Sequence, residues 1–259
     1  MALVTNPVHG GATVKTYKRH IVIPDTQCKP GVDLQHLEWA GKYIAEHAPD
    51  TVIHLGDHWD MSSLSDYDKG KKSFEGRRYK ADIAAGNEGM RLLMAPIRKM
   101  RRKPRLVFLL GNHEERIERV GERTPELDGV IGYHDFVMPG WEVVPYRKPV
   151  EIDGILYVHY LYNPANGRPY SGRASSILPR VGQSFVQGHR QGLDTSGDMT
   201  TAMGKRRRGI IAGSFYSHSE TYLGPQSNEW RGILMLNEVN DGNFDICEVS
   251  LDYLRRTYG

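Results

Sequence analysis

Five places in the sequence put an Asp, Asn or His after a short apolar run, either directly or with one glycine between them. The five segments are "VIPDTQ", "VIHLGDHWD", "LVFLLGNHEER", "ILYVHY" and "SFVQGHRQ". Carboxylate and amide oxygens together with imidazole nitrogens bind Mn, Fe, Zn or Mg without any thiolate. In three segments a glycine precedes the polar residue, which lets the backbone turn sharply and a ligand approach closely. These residue types predict a metal centre.

The apolar runs are typical of short buried strands, and amphipathic helices separate the first three. One helix is predicted from Asp33 to His47, and a longer one carries an apolar stripe from Tyr79 to Met100 and contains Pro96. Buried strands alternating with helices indicate an α/β fold with a parallel sheet. In such sheets the functional crevice lies at the carboxyl ends of the strands, so the five segments are expected to converge there.

The second half of the chain changes character. Its short strands, joined by turns, are typical of antiparallel hairpins. We expect a flexible lead over residues 1–17 and a single domain over residues 18–259, with an irregular insert near residues 61–77. On the first helix, His36 and His47 are expected at the surface, whereas His54 is expected in the core. His58 and His218 are candidates for a pocket wall.

Composition narrows the classes of protein. The 259 residues are 39% hydrophobic, enough to bury a full core, and no run of apolar residues is long enough to span a membrane. The first residues do not resemble a signal peptide. Cys28 and Cys247 are too few for a disulfide framework, which favours a cytoplasmic location.

Basic residues are clustered although the formal net charge is only +3. The three runs are "KGKKSFEGRRYK" (Lys69–Lys80), "RKMRRKPR" (Arg98–Arg105) and "GKRRRG" (Gly204–Gly209). Solvated surfaces explain most runs of this kind. Three in one chain make nucleic acid a possible partner.

The ordered motifs resemble those of calcineurin-like metallophosphoesterases. That family carries Asp-x-His, Gly-Asp-x-x-Asp, Gly-Asn-His-Asp/Glu, a single His and Gly-His-x-His, in this order. The similarity covers roughly residues 19–250 and is greatest to the compact phage and bacterial members, including DNA-repair-exonuclease-like ones. It implies two packed mixed β-sheets flanked by helices, a four-layer sandwich.

The resemblance also implies a set of metal ligands. Asp57 would bridge two divalent ions, and Asn112, His159 and His189 would complete the shell of one of them. The other ion would be bound by Asp25 together with Gln27 and Gln191. Both glutamines stand where the family has histidines. Because an amide oxygen is a weak donor that suits hard ions, we expect Mn²⁺, with one tight site and one weaker site.

The catalytic roles implied by the resemblance fall on two further residues. His113 would face the substrate as general acid and protonate the leaving group, and Asp60 would orient it. Glu114 is expected to add charge near the site rather than to bind metal. The expected activity is phosphodiester hydrolysis by a metal-activated hydroxide, and the enzyme could be a DNA nuclease. The alternative is a binding module for metal or nucleotide, catalytically weakened by the two glutamines.

One departure from the motifs of the superfamily narrows the class of substrate. Protein phosphatases of the superfamily carry Arg-Gly after the second Asp of the Gly-Asp motif, and this chain has Met61 and Ser62 there. Phosphoprotein substrates are therefore disfavoured. Arg168 and Arg173 are candidates for contacts with phosphate.

Overall fold

The structure is a computed structural model that describes residues 17–220 and 229–259. The predicted lead, residues 1–17, lies outside the described residues except for Tyr17. The α-helices are α1 (Gln35–His47), α2 (Tyr79–Ile97), α3 (Arg116–Arg123), α4 (Ala174–Val181) and α5 (Leu251–Tyr258). The strands are β1 (Lys18–Ile23), β2 (Thr51–His54), β3 (Arg105–Leu109), β4 (Glu142–Val144), β5 (Val150–Ile152), β6 (Ile155–Val158), β7 (Tyr162–Asn163), β8 (Arg168–Pro169), β9 (Phe185–Gln187), β10 (Leu193–Thr195), β11 (Met199–Thr200), β12 (Arg206–Arg207), β13 (Gly209–Ala212), β14 (Gly232–Asn240) and β15 (Asn243–Ser250).

The first large sheet has six strands in the order β15-β14-β1-β2-β3-β4. Strands β1 to β4 run parallel, as the alternation of strands and helices predicts. Strand β14 pairs antiparallel with β1 and forms a hairpin with β15. The carboxyl ends of β1, β2 and β3 therefore lie along one edge of this sheet.

The second large sheet has five strands in the order β10-β13-β9-β6-β5. The expectation that the second half is mainly antiparallel is wrong for its centre, because β6, β9 and β13 are parallel. Helix α4 makes the crossover between β6 and β9. At eight residues, with Pro179 inside, it gives little periodic signal in the sequence. Antiparallel pairs are found at the edges, β5 with β6 and β10 with β13.

Side-chain alternation in the first sheet joins the two large sheets. Ile21 and Ile23 of β1 pack into the core on the side of helices α1, α2 and α5, whereas Val22 packs into the core shared with the second sheet. The same alternation holds in β3, where Val107 lies between the sheets and Phe108 on the helical side. This period of two is what a strand covered on both faces requires. The predicted pair of packed mixed sheets flanked by helices is confirmed.

His36 on α1 is buried, so its predicted surface position is wrong. Its ring packs edge-on against Phe215, with the centroids 5.0 Å apart, and its exposed fraction is 1%. Phe215 follows β13, far along the chain, so the helical pattern alone does not reveal this contact. Burial lowers the pKa of His36 to about 3 and keeps the ring neutral.

Residues 61–77 leave the sheet and form three short 3₁₀-helices, Ser62–Leu64, Asp66–Asp68 and Lys72–Phe74. Two more 3₁₀-helices, Pro125–Leu127 and Tyr133–Asp135, lie between α3 and β4. Within the part of the chain that the structure describes, no helix has both the length and the apolar character needed to cross a membrane.

Candidate metal centre

The loops that follow β1, β2, β3, β6 and β9 meet at the junction of the two large sheets. The backbone N–H of His189 donates to Oδ1 of Asp25 over 2.9 Å. Nδ1 of His159 donates to the carbonyl of Leu55 over 2.7 Å, which connects the second sheet to the first. Residues from four separate strand ends are thus held together, and the contact of His159 with Asn112, which follows β3, adds the fifth.

Three side chains at this junction form a possible metal-binding cluster. Asp57, His159 and His189 offer ligand atoms that all lie within 4.8 Å of one another, and they are the one such group of His, Cys, Asp and Glu found among the described residues. Nε2 of His159 lies 3.3 Å from Oδ2 of Asp57 and 3.0 Å from Oδ1 of Asn112. Ligands bound at roughly 2.0–2.2 Å stand about 3.0–3.5 Å apart around one ion, so these spacings fit.

The hydrogen bonding of His159 supports a cation at this position. Because Nδ1 carries the proton and donates it in a hydrogen bond to the carbonyl of Leu55, Nε2 of the neutral ring presents a lone pair to two oxygen acceptors. Those acceptors belong to Asp57 and Asn112. A proton or a metal ion on Nε2 removes this repulsion. Burial opposes protonation, but the carboxylate of Asp57 outweighs it and raises the pKa of His159 to about 9.

His189 suits the same ion in its neutral form. The residue is exposed to solvent, but desolvation of its ring by the surrounding side chains and the positive charge of His159 lower its pKa to about 4. Its ring packs against those of His159 and Tyr160, with centroids 5.2 and 4.5 Å away, which fixes the orientation of the imidazole. A neutral, oriented imidazole is the form that binds divalent metals.

The backbone at the centre is strained. Gln27, Asp57 and His189 all have positive φ, at 39°, 51° and 66°, a region that residues other than glycine rarely occupy. Such strain concentrates at functional sites. Gly111 shows the close approach that the sequence predicts, because a Cβ there would stand 2.1 Å from Oδ1 of Asp57. Any larger residue at position 111 would displace that carboxylate.

Glu114 organises the loops that carry the ligands, a role that sequence reasoning missed. Its Oε1 accepts the backbone N–H groups of His58 and Trp59 over 2.7 and 3.0 Å, and Oε2 accepts those of Asp57 and Gly111 over 2.9 and 2.8 Å. The side chain is fully buried. It therefore fixes the loop after β2 to the loop after β3. The tetrapeptide "GNHE" contains the residue, but four backbone partners cannot be deduced from it.

His113 lies beside the cluster and in contact with Asp60. Its Nδ1 is 3.0 Å from Oδ1 of Asp60, an ion-pair contact without the alignment of a linear hydrogen bond, and its Nε2 is 3.7 Å from Oδ2 of Asp57. Burial opposes protonation, but Asp57 and Asp60 outweigh it and raise the pKa of His113. The structure brings the predicted acid and its predicted partner together.

The second predicted group of ligands is arranged differently. Nε2 of Gln191 donates to Oδ2 of Asp25 over 3.4 Å, while its Oε1 accepts the hydroxyl proton of Tyr216 over 2.9 Å. The amide oxygen is therefore turned to Tyr216, and the amide nitrogen faces the carboxylate. Gln27 is buried, with its backbone N–H donating to the carbonyl of Asp57. Burial raises the pKa of Asp25 to about 7. In this arrangement the amide oxygen of Gln191 does not face Asp25.

Neither of the two histidines considered for a pocket wall joins the metal cluster. His58 is buried, and its ring nitrogens bond to Oγ1 of Thr26 and to the carbonyl of Gly86. His218 stacks on Tyr216 and pairs with Glu220. His54 is buried in the core as predicted.

A cleft adjoins the centre on the side of His113. We call it the insert cleft; it has a volume of about 880 Å³, and its lining includes Lys29, Asp60, Tyr67, Arg78, His113 and Arg116. Nη1 of Arg116 donates to the carbonyls of Asp60 and Met61 over 2.6 and 3.3 Å, which fixes the start of the insert against the centre. The irregular segment therefore supplies a wall of this cleft.

The three basic runs do not form one surface around the centre. Lys69–Lys80 borders the insert cleft. Arg98–Arg105 precedes β3, and Arg206 to Arg208 precede β13, so both lie at the amino ends of parallel strands, away from the centre. Arg206 and Arg208 also pair with Asp198. Arg168 is exposed, and Arg173 pairs with Asp194.

Comparison with known proteins finds relatives of this chain in phages. No protein-family model matches it. It is 36% identical to the gene 54 protein of Mycobacterium phage L5 over 185 residues, which cover 68% of this chain and 71% of that protein. It is 34% identical to the gene 54 protein of Mycobacterium phage D29 over 99 residues, 38% of this chain and 37% of the relative.

Two solved structures are similar at low sequence identity. One is a conserved protein from Streptococcus pneumoniae described as a predicted phosphoesterase, with 13% identity, a TM-score of 0.39, and coverage of 92% of this chain and 91% of that one. The other is Yfce, a phosphoesterase from E. coli, with 13% identity, a TM-score of 0.39, and coverage of 90% and 99%.

The two-sheet architecture that the resemblance implies is present, and the loops that carry its motifs meet at the strand ends. The identity and coverage of the longer match go further. The chain belongs to the family of the gene 54 protein of Mycobacterium phage L5.

Proposed function

We propose that the protein is a metal-dependent phosphodiesterase. The observation that supports this most directly is the position of the His113–Asp60 pair beside the cluster of Asp57, His159 and His189. A binding site needs the cluster alone. An imidazolium held by a carboxylate next to that cluster suits the protonation of a leaving group.

The residues would divide the work as follows. Asp57, Asn112, His159 and His189 would hold a divalent ion, which when bound polarises a phosphoryl oxygen and lowers the pKa of a bound water. Asp60 would keep the ring of His113 oriented. His113, protonated before reaction, would give its Nε2 proton to the departing oxygen.

We expect Mn²⁺ as the ion that supports activity best, with one tight site and a weaker second site. The support for a weak second site is the amide of Gln191, whose oxygen accepts from Tyr216 and whose nitrogen faces Asp25. An ion bound there would have to displace the hydrogen bond to Tyr216. Amide oxygens, once free, favour hard ions over Zn²⁺.

The substrate class follows from two further observations. Met61 is fully buried, so the position where protein phosphatases carry arginine cannot present a side chain to a phosphoprotein. DNA hydrolysis is a narrower version of the proposal, and it is favoured only by the basic run that borders the insert cleft. The catalytically weakened binding module remains the second candidate, favoured by the position of Gln191.

The test is hydrolysis of bis-p-nitrophenyl phosphate by the purified protein with Mn²⁺, Mg²⁺, Zn²⁺ or Ca²⁺. We expect metal-dependent turnover that Asp57→Asn abolishes. The matched control is Asp252→Asn, an exposed carboxylate on α5, which should keep full activity. A folded protein that retains metal but hydrolyses no diester would support the binding module instead.

A further inference from the structure

We infer that the insert cleft is a leaving-group pocket that selects a nucleotide, a leaving group with a phosphate and a flat ring. The inference rests on the proposed function, because a leaving group exists only if the centre hydrolyses a diester. The inference goes beyond that function in two respects. It names the half of the substrate that the protein recognises, and it names the residues that recognise it.

The first observation is that His113 lies between the metal cluster and the insert cleft. Its Nε2 is 3.7 Å from Oδ2 of Asp57 in the metal cluster, and the same side chain lines the insert cleft. If His113 protonates the departing oxygen, the group attached to that oxygen must extend from His113. The cleft is the space that adjoins His113 on that side.

The second step is size. The volume of about 880 Å³ is in the upper part of the range for sites that bind small molecules, roughly 300–1,000 Å³. A methyl or nitrophenyl group would leave most of this space filled with water. A nucleotide uses far more of it.

The third step is charge, because the cleft contains carboxylates as well as cations. The acidic side chains nearest the centre are already partnered. Asp60 contacts His113, Asp68 pairs with Arg77 and Lys71, and Asp82 accepts the backbone N–H of Ser63 over 2.7 Å.

Unlike those carboxylates, two basic side chains of the cleft form no ion pair with a described residue. Among the described residues, neither Arg78 nor Arg116 has a carboxylate within ion-pair distance, and the groups they bind are backbone carbonyls. Lys29, in contrast, is paired with Glu220 over 2.7 Å. Two guanidinium groups that are not paired with a carboxylate suit a phosphate, which takes paired N–H donors.

The fourth step is the ring. Tyr67, in the wall of the cleft, has an exposed fraction of 79%, unusual for a large aromatic side chain. The ammonium of Lys71 stands 3.8 Å from the centre of one ring face. The opposite face is the one available for stacking, and stacking on tyrosine binds bases with little dependence on sequence.

Equilibrium binding to the metal-loaded protein tests the pocket without turnover. We expect thymidine 5′-monophosphate to bind about tenfold or more tightly than inorganic phosphate, and Arg78→Ala to remove about tenfold of that affinity by deleting charge-assisted bonds. Tyr67→Ala should weaken the nucleotide but not inorganic phosphate. The control is Arg101→Ala, an exposed arginine in the basic run away from the centre. Equal affinities for the two ligands, or an unchanged affinity in Arg78→Ala, would overturn the pocket.

Hydrolysis tests the leaving-group assignment. The dinucleotide dTpdT releases an uncharged nucleoside, whereas dTpdTpdT has a bond whose leaving group carries a phosphate. We expect kcat/KM to be about tenfold higher for the trinucleotide, and Arg78→Ala to reduce that ratio. A ratio of one in the unmodified protein contradicts the assignment. Failure to hydrolyse bis-p-nitrophenyl phosphate is a separate result that contradicts the proposed function itself.

Discussion

Replacement of Glu114 by glutamine tests how the centre is built. The carboxylate accepts two backbone N–H groups on each oxygen, those of His58 and Trp59 on one and those of Asp57 and Gly111 on the other. In Glu114→Gln one oxygen becomes an NH₂ group. In either orientation of the amide, two buried N–H groups lose their acceptor and face a donor.

The expected loss in the free energy of unfolding follows from the number of hydrogen bonds that the substitution removes or weakens. Each buried donor left without a partner costs about 1–3 kcal/mol, and the two remaining bonds lose their charge assistance. We therefore expect the free energy of unfolding to fall by about 3–5 kcal/mol. For a chain of this size that corresponds to a melting temperature roughly 6–20 °C lower.

Two measurements on Glu114→Gln check the reasoning. Urea denaturation gives the loss of stability, and elemental analysis after dialysis gives the metal content, which should fall because Asp57 and Asn112 lie on the loops that Glu114 joins. Glu115→Gln is the matched control, since its carboxylate accepts one hydroxyl, that of Tyr133, which an amide oxygen also accepts. A variant within about 1 kcal/mol of the unmodified protein, with full metal content, would refute the role of Glu114.

The other predictions concern the acid, the glutamines and acid stability. His113→Ala should lower turnover on esters with poor leaving groups by about 10²–10⁴ and cost less with p-nitrophenolate, and equal losses would contradict a general acid. Gln27→His with Gln191→His should raise the metal content toward two ions per chain, whereas two zinc ions retained by the unmodified protein would show that the glutamines do not weaken the second site. His36 has a pKa of about 3 when folded against 6.5 ordinarily, so below pH 6.5 the unfolded chain takes up a proton that the folded chain does not, and stability falls with pH. His36→Leu should remove about 1.5 kcal/mol of the loss in unfolding free energy between pH 6.5 and pH 5, measured by urea denaturation at both pH values.

Some of this architecture could be predicted because local sequence determines it. The buried strands that precede Asp25, Asp57 and Asn112 have continuous apolar runs, and parallel strands bring their ends to one edge of a sheet. The burial of His36 could not be predicted, because it depends on Phe215, which is distant in the chain. The same limit applies to Gln191, whose amide is oriented by the hydroxyl of Tyr216.

The parallel centre of the second sheet was missed for a different reason. The crossover helix α4 is too short to show a clear helical period, and the turns around it are typical of hairpins. Strands β6 and β9 are only four and three residues long, so their sequences do not reveal the direction of pairing. The crossover connection through α4 sets the direction of β9 relative to β6.

The cluster of ligands is divided evenly between the two large sheets. Asp57 and Asn112 follow strands of the first sheet, and His159 and His189 follow strands of the second. A bound ion would therefore link the two sheets, which are otherwise joined by apolar packing. Its binding free energy would stabilise the packed arrangement of the two sheets. Removing the ion would loosen the packing between the two sheets, so amide protons of β6 and β9 would exchange with solvent faster than in the metal-bound protein. The catalytic ion would thus also be a structural element of the molecule.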